Sequence, residues 1–467
     1  MQLVRKLGLL AVAGVMLSGS GLAPADAQER LMPTLGNEGY DVQSYAVAYD
    51  YRPGSSRMTS SVDIVARASE RLESFQLDAV AREVRSVTVN GLAATYTLDN
   101  TAEKLSITPR QRVPRGAKFD VRIAFTADRS LEPKSPAFGE QDKFDHWTDW
   151  EGGFQLMGQP DRSHLFFPMN DVPRDKARVS FRVTVPRGYQ AVANGTLRST
   201  KTVGDRTTYV FGTRDPIPTH VAQLAVGHLT EIKGTGPHGL PLRSFVDSSK
   251  AAAARGRVAL VPAQLKWVED AIGAPYPYET YGVLGVGGVT GYAIESATLS
   301  MFNADYLTGP ADQGTGTMIH ELVHQYFGNA VSVQNWDDMW LSEGHAAYYT
   351  GLYRDAQGDV KLDDFMRDAY QFETGQRPKY GPPGRQQDLP GLLAGTNPGG
   401  AVMLYGLRQQ LGAKTFQQIE RTFFLRHRHQ AATTQDYIDV ANDVSGRDLT
   451  AYITGWIYGT ETPPFPG

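Results

Sequence analysis

His320-Glu321-Leu322-Val323-His324 decides how this chain is read. Two imidazoles four residues apart fall on one face of a helix, one turn from each other. The apolar positions say that the segment is helical: Ile319, Leu322, Val323 and Tyr326 recur at i, i+3, i+4 and i+7. Gly328-Asn329 supplies a stop. The spacing therefore predicts a buried helix over residues 315–328, with its histidine face lining a cleft. Such a pair can fill two sites of a tetrahedral Zn²⁺. Glu321 is one step round the same helix, in reach of a water at the metal.

Trp336-Asp337-Asp338-Met339-Trp340-Leu341-Ser342-Glu343-Gly344 reads as the start of a second helix. It delivers Glu343 after eighteen intervening residues, 325–342. Two neutral nitrogens and one carboxylate leave the fourth position of the metal open, as a catalytic site requires. The chain has no cysteine, so disulfides and thiolate ligands are excluded, and His and carboxylate are the available donors.

At this point the sequence resembles a known family. His-Glu-Leu-Val-His-Gln-Tyr-Phe-Gly-Asn followed by Trp-x-x-x-Trp-Leu-Ser-Glu-Gly-His-Ala is similar to the aminopeptidase N and leukotriene hydrolase family of zinc metallopeptidases, the gluzincins, in a short two-domain bacterial form. The resemblance implies one Zn²⁺ held by His320, His324 and Glu343, with Glu321 as general base. Ser342 stands where the family has Asn, an exchange expected to matter little. His345 takes a place that is Phe in many members and is expected to be structural.

The rest of the chain bounds the reading. With 467 residues it has room for two or three domains. A net charge of −4 with both signs well mixed gives no surface for a polyanion, so nucleic acid is excluded as a partner. Residues 1–27 read as an export signal: Arg5-Lys6, the apolar run Leu7 to Leu17, and a small-x-small site at Ala25-Asp26-Ala27. A retained anchor is the alternative, but the run is short for a membrane span. No other segment is apolar enough to cross a bilayer, so no span is expected in the mature chain. The expected location is periplasmic or secreted.

From about 38 to 232 the pattern is strand after strand. Val42–Val47, Val62–Ala66, Phe119–Phe125 and Val179–Val185 alternate with period 2, with Asn90-Gly91 and Asn194-Gly195 as hairpin or turn positions. A Gly-rich stretch from Gly234 to Gly239 marks a domain boundary, giving an N-terminal domain of 28–234 and a second of 235–467. Ser249 to Ala271 reads as one helix kinked at Pro262.

Further matches extend the resemblance over nearly all of the mature chain. Gln159-Pro160-Asp161-Arg162 through Phe167-Pro168-Met169-Asn170-Asp171 resembles the family segment whose Gln sits at the substrate amine and first side chain. Gln159 matches that Gln by its distance to Pro168. A glutamine satisfied within a β loop is the alternative. Phe144 to Trp150 has no counterpart, and its aromatics are expected to cap the sheet.

Tyr292-Ala293-Ile294-Glu295-Ser296 sits where relatives carry Gly-Ala-Met-Glu-Asn, along the substrate, with the Glu on its free α-ammonium. Here Ala293 and Glu295 survive. A strand-end Glu in a surface ion pair is the alternative. Asn397 replaces a Tyr that normally donates to the developing oxyanion. Thr350 replaces a second Glu whose loss weakens the metal site if that carboxylate orients a ligand. Arg426-His427-Arg428-His429 is expected to be a solvated helix end.

The expected fold is an all-β, sandwich-like N-terminal domain followed by a thermolysin-like α+β zinc peptidase domain, without the C-terminal helical-repeat domain of longer relatives and with a more open cleft. The expected function is an aminopeptidase that cuts peptides by zinc-water attack, with Glu295, Gln159 and Ala293 binding substrate. A catalytically weakened zinc-containing peptide-binding protein and an endopeptidase remain as alternatives. Side-chain preference and oligomeric state are left open.

Overall fold

A computed structural model describes residues 29–131, 146–288, 293–309 and 311–467, without the side chains of 311–314 and 393–397. The export signal, Phe144, Asp145 and Tyr292 lie outside the described residues. Among those described, no helix is long and apolar enough to cross a membrane.

The period-2 segments become the centre of an eight-stranded sheet. Arg178–Pro186, Tyr40–Asp50, Arg57–Ala68 and Lys118–Asp128 lie side by side and bury alternate residues. Tyr40–Asp50 runs parallel to Arg178–Pro186 and antiparallel to Arg57–Ala68. A four-stranded sheet lies in the same half, and Tyr45, Phe167 and Phe181 meet edge-on in the core. Trp147 lies on the edge strand Trp147–Trp150 and packs on Phe154 and Phe166, capping that sheet.

Asn90-Gly91, both at positive φ, makes the tight hairpin between Glu83–Val89 and Leu92–Ala93. Asn194-Gly195 does something else. It turns the chain from the four-stranded sheet into the eight-stranded one. The Asn194 amide is buried and donates to Val221 O at 3.0 Å and Ala297 O at 2.7 Å.

The second half is built on a five-stranded sheet. Leu229–Thr235 pairs with Pro241–Asp247, followed by Val283–Val286, Ser300–Asn303 and the edge strand Ala293–Ile294. The stretch Gly234 to Gly239, read from sequence as a boundary, ends the first strand of that hairpin and, from Gly236 on, forms its loop. Gly234 pairs with Leu242 and Thr235 with Pro241, so backbone pairing runs across the expected division at 234/235. A short Gly-rich run serves a hairpin as well as a linker, and the polar strand before it did not reveal its partner.

Among the described residues, ten α-helices complete this half: α1 (Ala251–Val258), α2 (Val261–Ile272), α3 (Ala304–Thr308), α4 (Ala311–His324), α5 (Trp340–Ala356), α6 (Leu362–Tyr380), α7 (Leu389–Leu411), α8 (Ala413–His427), α9 (Thr434–Ser445) and α10 (Thr450–Tyr458). The single helix expected over 249–271 is two. Pro262 lies in the first turn of α2, where its missing N–H is no loss, so the chain breaks before the proline instead of kinking at it. Of Arg426 to His429, only the start is solvated. Arg426 pairs with Asp443, whereas the His429 N–H donates to Ala330 O at 2.6 Å and its ring packs on Tyr278.

The two halves are tied by buried polar contacts. Lys176 Nζ donates to Asn329 O and Ala330 O, both at 2.8 Å. Arg243 Nη2 donates to Ala193 O at 2.7 Å. Near the start of the described chain, Glu29 Oε2 accepts from Trp336 N at 3.0 Å, and Arg30 pairs with Asp337 at 2.6 Å. Replacing Lys176 by Met leaves two carbonyls at the junction without their charged donor. The expected loss is about 2 kcal/mol, measured as a lower midpoint of urea unfolding.

Candidate active site

α4 delivers the histidines because its apolar positions face inward: Ile319, Leu322 and Val323 are buried in the core. His320 and His324 stand one turn apart, with ring centroids 4.6 Å apart and planes at 82°. α5 brings Glu343 to them. Its Oε2 lies 3.4 Å from His320 Nε2 and 3.7 Å from His324 Nε2. One donor atom from each residue lies within 4.8 Å of the others. Two imidazole nitrogens and a carboxylate at such separations fit a single dication of tetrahedral preference with one position open.

The position of Glu343 depends on a close crossing of α5 and α7. A Cβ on Gly344 would fall 2.8 Å from Gly400 Cα, and one on Gly400 would fall 2.9 Å from Gly344 Cα. Backbone therefore meets backbone one residue from the carboxylate.

Ser342, expected to matter little, has a specific use. Its Oγ lies 2.8 Å from His324 Nδ1 and donates to Phe327 O at 3.2 Å. With its proton committed to that carbonyl, the hydroxyl accepts from Nδ1–H. That leaves the Nε2 lone pair of His324 facing Glu343. Gly328 makes room for this: a Cβ there would sit 2.3 Å from Ser342 Oγ, and its φ is +124°. The signal in the sequence was the place of Ser342 directly before the third ligand at a helix start. Thr350 contributes nothing comparable, since its hydroxyl donates to Ala346 O on its own helix at 2.8 Å.

The cavity next to the histidines has a volume of about 230 Å³ and is lined from both halves. Met157, Gln159 and Pro160 come from the N-terminal half, and Ala293, Ile294 and Glu295 from the edge strand and the residue after it. Gln159 Nε2 donates to Glu295 Oε1 at 3.0 Å. Glu295 is buried, not in a surface ion pair, and Gln159 is bonded to it across the junction, not within a β loop.

No lysine or arginine lines this cavity among the described residues. Burial first, and then the charge of Glu343, push the Glu295 carboxyl up to about 8. Burial, followed by the charges of Glu295 and Glu343, pushes Glu321 well above the usual carboxylate range. Burial pushes the His324 imidazole down to about 4, against the opposing pull of Glu343, so the ring is a neutral ligand at pH 7. Left to protein atoms alone, Glu295 and Glu321 hold protons at neutral pH that a bound cation would displace. The pocket is built to receive cations.

His345 is structural, as expected. It stacks between Phe327 and Trp340 with Nε2 3.2 Å from the buried Glu420 carboxylate. Tyr405 donates to Asp363 and does not line the cavity, nor does the buried Tyr348. Asn397 lies within α7, and its side chain is outside the described set.

Comparison with known proteins identifies the scaffold. The Peptidase M1 N-terminal domain matches residues 41–221, and the Peptidase family M1 domain matches residues 258–377. The chain belongs to peptidase family M1. It is similar to Aminopeptidase N of Caulobacter vibrioides (24% identical, over 91% of this chain and 50% of that protein). It is also similar to Aminopeptidase M1-D of Oryza sativa subsp. japonica (22%, over 62% and 35%). The chain thus spans half or less of these curated relatives.

Among solved structures, the M1 zinc metallopeptidase of Deinococcus radiodurans superimposes with a TM-score of 0.83 at 26% identity, over 94% of this chain and 99% of that one. A point mutant of that protein bound to a Tyr-Ser-Ala substrate matches equally well. The β-rich first half and the helical second half are therefore the two-domain M1 arrangement.

If Ser342 fixes the tautomer of His324, Ser342→Ala lowers divalent-metal affinity by about ten- to a hundredfold. Ser342→Asn, the family residue, retains it. Competition with a chromogenic chelator distinguishes the two.

Proposed function

We propose that this protein is an exported zinc aminopeptidase that removes single residues from the N-termini of peptides. One observation carries the reading: a buried carboxylate, Glu295, outside the His320–His324–Glu343 triad but in the same cavity, clamped by Gln159. A metal site alone has no use for it. A free α-ammonium one residue from the scissile bond does. Export rests on the charged start, apolar run and cleavage site in residues 1–27.

Zinc held by His320, His324 and Glu343 supplies Lewis acidity at the scissile carbonyl and makes a water acidic at neutral pH. The chain's own groups do the rest. Glu321 takes the proton of the attacking water and passes it to the departing amine. Its raised proton affinity suits a group that must hold a proton between the two steps. Glu295 and Gln159 bind the ammonium, and Ala293 on the edge strand lies beside the peptide. Met157, Pro160 and Ile294 give the first side chain an apolar seat. Gln159 bonded to Glu295 places an anchor for an amine in the same cavity as the metal triad, which favours exopeptidase over endopeptidase cleavage.

The test uses residues 28–467 loaded with zinc and a mixed peptide pool followed by mass spectrometry. Sequential loss of N-terminal residues is expected. Glu321→Gln is expected to slow it by at least about a hundredfold while metal stays bound. Internal cuts in peptides with blocked N-termini would replace the aminopeptidase reading with an endopeptidase. Normal turnover by Glu321→Gln would overturn the mechanism, and no cleavage by the zinc-loaded protein would leave a peptide-binding protein.

A further inference from the structure

We infer that Gln325 and Asn329 are positioning residues, which fix Glu295 relative to the metal triad and so set the one-residue register of cleavage. The inference rests on the aminopeptidase reading above.

Glu295 follows a strand of two residues, Ala293–Ile294, at the edge of its sheet. Among the described residues, this strand pairs Ala293 with Phe302 and Ile294 with Met301. A carboxylate just past a strand end is placed no better than its own main chain, and oriented binding needs sub-ångström placement.

Gln159 holds the Glu295 carboxylate and Asn194 ties the loop at Ala297 O, while the turn after the metal helix holds the Glu295 carbonyl. Gln325 Nε2 donates to Glu295 O at 2.9 Å, and Asn329 Nδ2 donates to the same oxygen at 2.7 Å. Both side chains are fully buried. Two amides thus occupy both acceptor positions of one carbonyl, that of the residue whose carboxylate faces the cavity.

Each amide is referenced to His324. Gln325 is the next residue along the chain. The Asn329 backbone N–H donates to His324 O at 2.9 Å, and Asn329 O accepts from Lys176 Nζ. The other end of the Gln325 amide accepts from Thr298 N at 2.8 Å, where φ is +66°. One side chain therefore grips the loop 295–298 at both ends and holds a residue in the left-handed region that Thr rarely adopts. The main chain of the amine anchor is located from the metal helix as well as from its own sheet.

The test compares Gln325→Met, Gln325→Glu and Asn329→Ala with wild type, using Tyr-Ser-Ala and its N-acetyl form. Gln325→Glu keeps the acceptor for Thr298 and loses the donor to Glu295. In the zinc-loaded proteins, KM for Tyr-Ser-Ala is expected to rise at least about tenfold. The preference for the free over the acetylated peptide should fall by the same factor, with metal content unchanged. In a Glu321→Gln background, calorimetry should show weaker binding of Tyr-Ser-Ala and unchanged binding of the acetylated peptide.

Equal losses on both peptides, or wild-type preference in Gln325→Glu and Asn329→Ala, would overturn the inference. If Gln325→Met does not fold, those two variants decide. A wild type that cleaves both peptides alike would sink the aminopeptidase reading itself, which is a separate result.

Discussion

Three carboxylates, Glu295, Glu321 and Glu343, share one buried cavity with no lysine or arginine among its described lining residues. Everything else about the site follows from that crowding. Like charges in a low-dielectric pocket hold protons or attract cations, and folding tolerates them because other interactions make up the cost. On the proposed reading, a dication at the histidines would discharge one side of the cavity, and an ammonium at Glu295 the other. Metal and substrate amine are then two parts of one charge balance. Glu321, between them, keeps a high proton affinity from the same burial.

The scaffold holds this arrangement by placing each group from a different element. α4 gives the two histidines and Glu321 from one helical turn. α5 gives Glu343, held by the backbone contact of Gly344 with Gly400 on α7. The N-terminal half contributes Met157, Gln159 and Pro160, so the cavity exists only when the halves are docked. Docking is correspondingly polar and specific. Asn194, Lys176 and Arg243 each bond carbonyls across the junction, and Asn194 and Lys176 do so at the two loops that flank Glu295 and His324. Apolar burial alone would bring the halves together without fixing where Gln159 meets Glu295.

The histidine pair, Glu343 and the alternating strands were legible in the sequence because each depends on local periodicity. Ile319, Leu322 and Val323 specify a helix with one buried face, and the spacing of the histidines follows from it. The Asn194 ties and the pairing of residues 229–235 were not legible. They depend on partners distant in the chain, and a polar strand or a lone Asn carries no signal of its partner. The contacts of Ser342 were hidden for a related reason. Its residue type says little, and its value comes from Phe327 O and His324 Nδ1 arriving together in three dimensions. Pro262 was legible as a helix signal but ambiguous in sense, since a proline both ends one helix and starts another.

The same charge balance bears on selectivity. A pocket that merely fitted an N-terminal side chain would discriminate free from blocked peptides weakly, because apolar contacts are indifferent to the amine. A buried carboxyl that ionises only when an ammonium pairs with it gives the free terminus an interaction that the blocked peptide cannot make. That difference grows with burial, and Glu295 is buried by the N-terminal half through Gln159 and by the turn after α4. On the proposed aminopeptidase reading, specificity for a free terminus belongs to the junction between the halves, while the chemistry belongs to α4 and α5. On that reading, the division is what turns a metal centre into one that counts residues from an end.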